Sequence, residues 1–93
     1  MRTLIVDDEP LARDYLESLL AAHDDIQIIG VCKNGREAIK AIRSEQPDLV
    51  FLDIQMPGMN GFDVVKAVQE DDAMPFFIFA TAYDDYAVEA FDL

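Results

Sequence analysis

Apolar residues arrive in this chain in short runs that alternate with longer stretches of helical spacing. Thr3 to Val6 is a short apolar run of strand type. Asp8-Glu9-Pro10 then reads as a helix start, with acids in the first turn and proline at an early helical position. Leu11, Tyr15, Leu16, Leu19 and Leu20 place one apolar stripe along that helix, which His23-Asp24-Asp25 ends. Ile26 to Cys32 is strand-like, with Gln27 and Gly30 interrupting the apolar run as suits an edge strand. Asn34-Gly35 is a turn and cap signal, and Ala38, Ile39, Ala41 and Ile42 mark the next helix. Pro47-Asp48 closes it and leads into a strand from Leu49 to Leu52. Asn60-Gly61 opens a third helix with Phe62, Val65 and Val68 on its apolar face. Phe76 to Ala80 is apolar at every position, as expected of a strand covered on both sides, and Asp84-Asp85 can cap a last helix carrying Ala87, Ala90 and Phe91.

Four strand-helix steps with short connections predict an α/β fold: a parallel sheet with right-handed crossovers. In such open sheets ligands bind beyond the carboxyl ends of the strands. Asp7, Asp8, Asp53 and Thr81 all fall there. A carboxylate at the tip of a buried strand is costly unless something offsets it. If the first and third strands are neighbours, the three aspartates converge on one pocket. Converging carboxylates either take up protons or are neutralised by a cation. Oxygen-only ligands of high charge favour a hard ion, Mg²⁺ before Ca²⁺. A carboxylate beside such an ion can act as a nucleophile and form an acyl phosphate, with the ion offsetting repulsion from the incoming phosphoryl oxygens.

Size and charge narrow the function classes. Ninety-three residues make one domain at most. A hydrophobic content of 52% argues against disorder. No apolar run approaches the ~20 residues that span a bilayer, and no signal-peptide pattern opens the chain. The single cysteine, Cys32, permits no internal disulfide and reads as a buried, reduced thiol, so a cytoplasmic location is expected. A net charge of -12 repels a phosphate backbone, which speaks against nucleic-acid binding by this segment.

Taken singly, several of these residues have plainer readings. Asp7 and Asp8 could cap a helix, and Thr81 reads equally as the end of a strand. His23 fits a surface position at a helix end. Tyr83, Tyr86 and Phe91 fit packing or an interface, and Met56 and Met59 fit loop packing.

Together, however, Val6-Asp7-Asp8-Glu9, Asp53 with Met56-Pro57-Gly58 and Gly61, and Thr81-Ala82 resemble a receiver domain of two-component response regulators, over the whole of 1–93. The resemblance implies a flavodoxin-like three-layer sandwich of strand order 2-1-3-4-5, of which this chain carries the first four strands. It implies Asp53 as phosphoacceptor, and Mg²⁺ held by Asp8, Asp53, the backbone carbonyl of Gln55, and Asp7 through water. Thr81 would be the switch hydroxyl, and a sensor histidine kinase the phosphodonor. Such a domain is a self-phosphorylating phosphoacceptor and no conventional turnover enzyme. Glu9-Pro10-Leu11-Ala12-Arg13 and Thr81-Ala82-Tyr83-Asp84 with Tyr86-Ala87, Ala90 and Phe91 further resemble the LytTR-type subgroup, in which a DNA-binding domain follows in the full-length parent.

The family places a lysine after a fifth strand, then a fifth helix. Neither occurs before Leu93, so the chain is read as a carboxyl-terminally truncated receiver lacking that lysine. Without a fifth strand, the edge of the fourth strand and the last helix are expected to pair two copies as a homodimer. The alternative function is therefore a phosphorylation-impaired, self-associating interaction module. A phosphohydrolase of the haloacid-dehalogenase type needs a second acid two residues after its nucleophile, and Gln55 stands there instead.

Overall fold

The structure, a computed structural model, describes residues 1–72 and 74–80. In chain order the elements are β1 (Arg2–Val6), α1 (Pro10–Leu20), β2 (Gln27–Cys32), α2 (Gly35–Glu45), β3 (Leu49–Leu52), α3 (Gly61–Val68) and β4 (Phe76–Phe79). The strands form one parallel sheet in the order β2-β1-β3-β4. This is the expected flavodoxin-like arrangement, with β2 at one edge as its broken apolar pattern implied. The last helix expected from Asp84-Asp85 and Thr81, the expected switch hydroxyl, lie outside the described residues.

Why each element forms is legible locally. Pro10 begins α1, where its missing N–H costs nothing. Asn34 caps α2 by accepting from the Glu37 N–H, and Gln46 ends that helix in the left-handed region at φ 48°. Asn60 and Asp63 form a reciprocal capping box at the start of α3. The turn before it contains Gly58 at φ 80°, a conformation that disfavours a Cβ.

The core lies on the sheet. Leu4, Ile5, Val6, Val50, Leu52, Val64 and Val68 are essentially inaccessible, each contributing roughly 1.5–3 kcal/mol on the usual scale for a buried aliphatic side chain. Met56 is buried in the same cluster, Met59 packs against it, and Cys32 is also inside. Burial pushes the Cys32 thiol up to about 11, which leaves it unreactive.

Three helix and strand faces differ from expectation. On α1 only Leu20 is buried, while Leu11, Tyr15 and Leu19 are 81%, 67% and 48% exposed. These three lie four residues apart on one row, displaced from the row of Leu16 and Leu20, so a single broad stripe splits into a packed half and an open half. On α3 the residue facing the sheet with Val68 is Val64, and Phe62 and Val65 are only half-buried. Gly61, Val64 and Val68, spaced three and then four apart, form the innermost face of this helix. On β4, Phe76 is 76% exposed and only Phe79 is buried, so its faces are less covered than its apolar run implied, while its place at a sheet edge among the described residues is the expected one.

Candidate functional site

β1 and β3 are paired in register, Val6 opposite Leu52. The next residue on each is an aspartate, so the sheet delivers Asp7 and Asp53 side by side. Their backbones remain in the ladder for one more step: the Asp53 N–H donates to the Val6 carbonyl at 3.0 Å, and the Asp7 N–H donates to the Cys32 carbonyl at 3.1 Å. Asp8 follows where the chain turns toward α1. One carboxylate oxygen from each of Asp7, Asp8 and Asp53 lies within 4.8 Å of the others, and all three residues are half-buried. The convergence expected from neighbouring first and third strands is what the topology produces.

The site is electrostatically unbalanced. Burial pushes the Asp53 carboxyl up to about 6, with Asp7 and Asp8 adding like-charge repulsion against two lowering backbone contacts. Asp7 is raised as well, by burial first and then by Asp8 and Glu9, while the Glu9 N–H hydrogen bond to its Oδ1 at 2.9 Å opposes the rise. None of the ion pairs among the described residues involves these aspartates. The cluster is therefore made of acids that lack a cationic side-chain partner there. That donor set suits a hard divalent ion.

Gln55 stands two residues beyond Asp53, with an exposed side chain and its N–H 3.4 Å from Asp53 Oδ1. Gly61 brings the first turn of α3 against this same segment. Its N–H donates to the Ile54 carbonyl at 2.9 Å, and a Cβ there would sit 2.6 Å from the Asp53 carbonyl oxygen. Arg13, noted in the sequence only as part of a longer stretch, reaches back from α1 to donate from Nη1 to the Asp7 carbonyl at 2.8 Å. The signal for it was available: a cation on the first turns of the helix that leaves an acidic strand end.

Comparison with known proteins agrees with this geometry. The family model described as response regulator receiver domain matches residues 3–93. The chain belongs to the response regulator receiver domains. A transcriptional regulatory protein, BtsR, of Salmonella typhi is 48% identical over 92 residues, which is 99% of this chain and 38% of that protein. An uncharacterised response regulatory protein of Shewanella oneidensis is 49% identical over 89 residues, 96% of this chain and 37% of its own length. This receiver thus spans well under half the length of these relatives. Among solved structures, the response regulatory domain of mrkE from Klebsiella pneumoniae aligns with a TM-score of 0.84 and 34% identity, covering 99% of this chain and 75% of that one. The signal receiver domain of the putative response regulator NarL from Mycobacterium tuberculosis aligns with a TM-score of 0.82 and 30% identity, covering 89% and 67%. No helix among the described residues of the receiver is long and apolar enough to cross a membrane.

Proposed function

We propose that this receiver accepts a phosphoryl group on Asp53 in the presence of Mg²⁺. The observation that carries the reading is the meeting of Asp7, Asp8 and Asp53 at one sheet end without a cationic partner among the described residues. The carboxylates fit the ion. Oxygens bound directly to one Mg²⁺ at about 2.1 Å stand no more than about 4.2 Å apart. A span of up to 4.8 Å leaves room for both direct and water-mediated ligands, and the family resemblance gives the direct places to Asp8 and Asp53 and the water-mediated one to Asp7. The backbone carbonyl of Gln55 is a further candidate ligand. When bound, the ion supplies charge neutralisation for two anions that must approach each other. An Asp53 carboxylate oxygen bonds to phosphorus as the bond from phosphorus to the donor's leaving group breaks. Asp7 and Asp8 keep the pocket acidic and oriented, and Thr81 is the candidate switch hydroxyl.

The phosphodonor of this reading is a sensor histidine kinase, and the receiver acts as a phosphoacceptor in the cytoplasm, without turnover of its own. Likeness to a transcriptional regulatory protein supports a role within a regulator whose other part contacts DNA, and the LytTR-type motifs specify that part further. The test is intact mass after incubation with Mg²⁺ and a small acyl phosphate. A gain of one phosphoryl group supports the reading, and no gain, under conditions that modify another receiver, overturns it.

Titration of the pocket has a defined sign. The Asp53 carboxyl is raised from 3.8 to about 6, so the native state holds its proton more tightly than the unfolded chain does. The metal-free protein therefore loses stability from this group as pH rises from about 3.8 through about 6. Millimolar Mg²⁺ is expected to raise the melting temperature near neutral pH and to leave it almost unchanged below pH 3.8, where Asp53 is protonated. Thermal melts with Mg²⁺ and with chelator across that range check it. Equal Mg²⁺ effects at both ends would contradict the assignment.

Self-association through the β4 edge completes the reading. β4 has a sheet neighbour on one side only among the described residues, and Phe76 stands exposed on it. Light scattering should give the mass of a dimer, and Phe76→Asp should shift it toward monomer. A monomer at every concentration tested rules this pairing out.

A further inference from the structure

We infer that Arg13 is a positioning residue for the acidic pocket, holding the Asp7–Asp8 turn in the shape that receives the divalent ion. The inference rests on the Mg²⁺ reading of that pocket. Arg13 is half-buried near the start of α1, and its own N–H closes the first helical turn on the Glu9 carbonyl at 3.1 Å. Its guanidinium forms no ion pair among the described residues. In a chain of net charge -12, the group instead donates to a main-chain carbonyl, that of Asp7, one of the three residues of the acidic cluster.

That choice has a consequence for the pocket. An ion pair with any of the three carboxylates would compete with a metal for the same oxygens. A hydrogen bond to the peptide carbonyl leaves the oxygens free and still fixes the backbone. Asp7 is thereby held at three points: its N–H on Cys32, its Oδ1 by the Glu9 N–H, and its carbonyl by Arg13. The peptide whose carbonyl Arg13 holds is the one that joins Asp7 to Asp8, so its orientation sets where the Asp8 side chain leaves the backbone. Groups that orient metal ligands without touching the metal commonly contribute about 10–100-fold in affinity.

Positioning and bare charge predict opposite signs. A nearby cation repels Mg²⁺, so if Arg13 acted only through its charge, removing it would tighten Mg²⁺ binding. If Arg13 positions the turn, removing it weakens binding. Calorimetric titration of Mg²⁺ into the chain and into Arg13→Met, which keeps helix propensity and the apolar stem, reads this sign directly. The expected result is a weakening of about tenfold or more. Arg13→Lys, which can donate to the same carbonyl without the planar fork, should recover part of it. Unchanged or tighter binding by a cooperatively melting Arg13→Met overturns the positioning role. If Arg13→Met does not fold, Arg13→Lys decides alone: weaker binding than the parent supports the role, and equal or tighter binding overturns it. A parent chain that binds no Mg²⁺ would overturn the pocket reading together with this one, whereas a parent that binds and an unmoved variant would overturn Arg13 alone.

Discussion

Asp53→Asn should abolish the phosphoryl gain in intact mass and, at the same time, make the metal-free protein more stable near neutral pH. The first effect follows from chemistry, because a neutral amide cannot replace the carboxylate as nucleophile. The second follows from electrostatics. Above about pH 6 the Asp53 carboxylate is charged despite burial and despite Asp7 and Asp8 beside it. Asparagine keeps the shape and removes the charge. A shift of this size corresponds to about 3 kcal/mol if fully realised, and solvent screening of a half-buried group reduces it to about 1 kcal/mol. For a domain of this size that is a rise of about 4–8 °C in melting temperature. The advantage should be absent below pH 3.8, where both side chains are neutral, and should grow through about pH 6. Mg²⁺ should narrow or reverse it by favouring the aspartate form. Melts of both proteins at the two pH extremes, with and without Mg²⁺, supply the check. A persisting mass gain would place the acceptor elsewhere, and a destabilised variant at neutral pH would mean that the carboxylates do not repel as their placement implies.

Gly61→Ala should be the most damaging single methyl in the chain. Its Cβ would lie 2.6 Å from the Asp53 carbonyl oxygen, 3.1 Å from the Ile54 Cα and 3.1 Å from a Phe79 ring carbon. Two of these are backbone atoms, which cannot swing aside as a side chain can. Either α3 withdraws, breaking the Gly61 N–H bond to Ile54, or the Asp53 segment shifts. Overpacking of this kind costs about 1–3 kcal/mol, more than the roughly 1 kcal/mol of helix propensity that alanine brings. Gly35→Ala is the matched control. Its Cβ would meet Met59 Cγ and Sδ at 2.9 Å and Cβ at 3.0 Å, all atoms of one unbranched side chain that yields more readily than backbone. Chemical denaturation should therefore rank parent above Gly35→Ala above Gly61→Ala. Because the strain falls on Asp53, Gly61→Ala should also slow phosphoryl transfer, while Gly35→Ala leaves it near the parent rate. Equal stability of the two variants would show that α3 can withdraw at little cost.

Much of the fold was legible from local pattern because the strands are short, mostly apolar runs and each helix begins at a recognisable signal. Asn34 and Asn60 both cap where the sequence places a cap, and Pro10 begins its helix. Local pattern failed where burial depends on a neighbour. The α1 stripe contains five apolar residues, yet Leu11, Tyr15 and Leu19 stay open, since periodicity shows which residues share a face and not how much of that face is covered. The same limit explains Phe76, apolar but exposed on β4, and Val64, buried on α3 where the sequence pattern pointed to Phe62 and Val65.

The site divides in the same way. The chain alone pointed to Asp7, Asp8 and Asp53 at carboxyl ends of strands, where converging carboxylates either take up protons or are offset by a cation. Only the tertiary structure decided that Asp7 and Asp53 meet, because parallel pairing of β1 with β3 brings together positions 46 residues apart, and no local rule sets which strands pair. It also assigned Arg13 to the Asp7 carbonyl and Gly61 to the back of Asp53. Those contacts arise from how helices settle on the sheet, a consequence of packing that becomes definite only when the whole core is assembled.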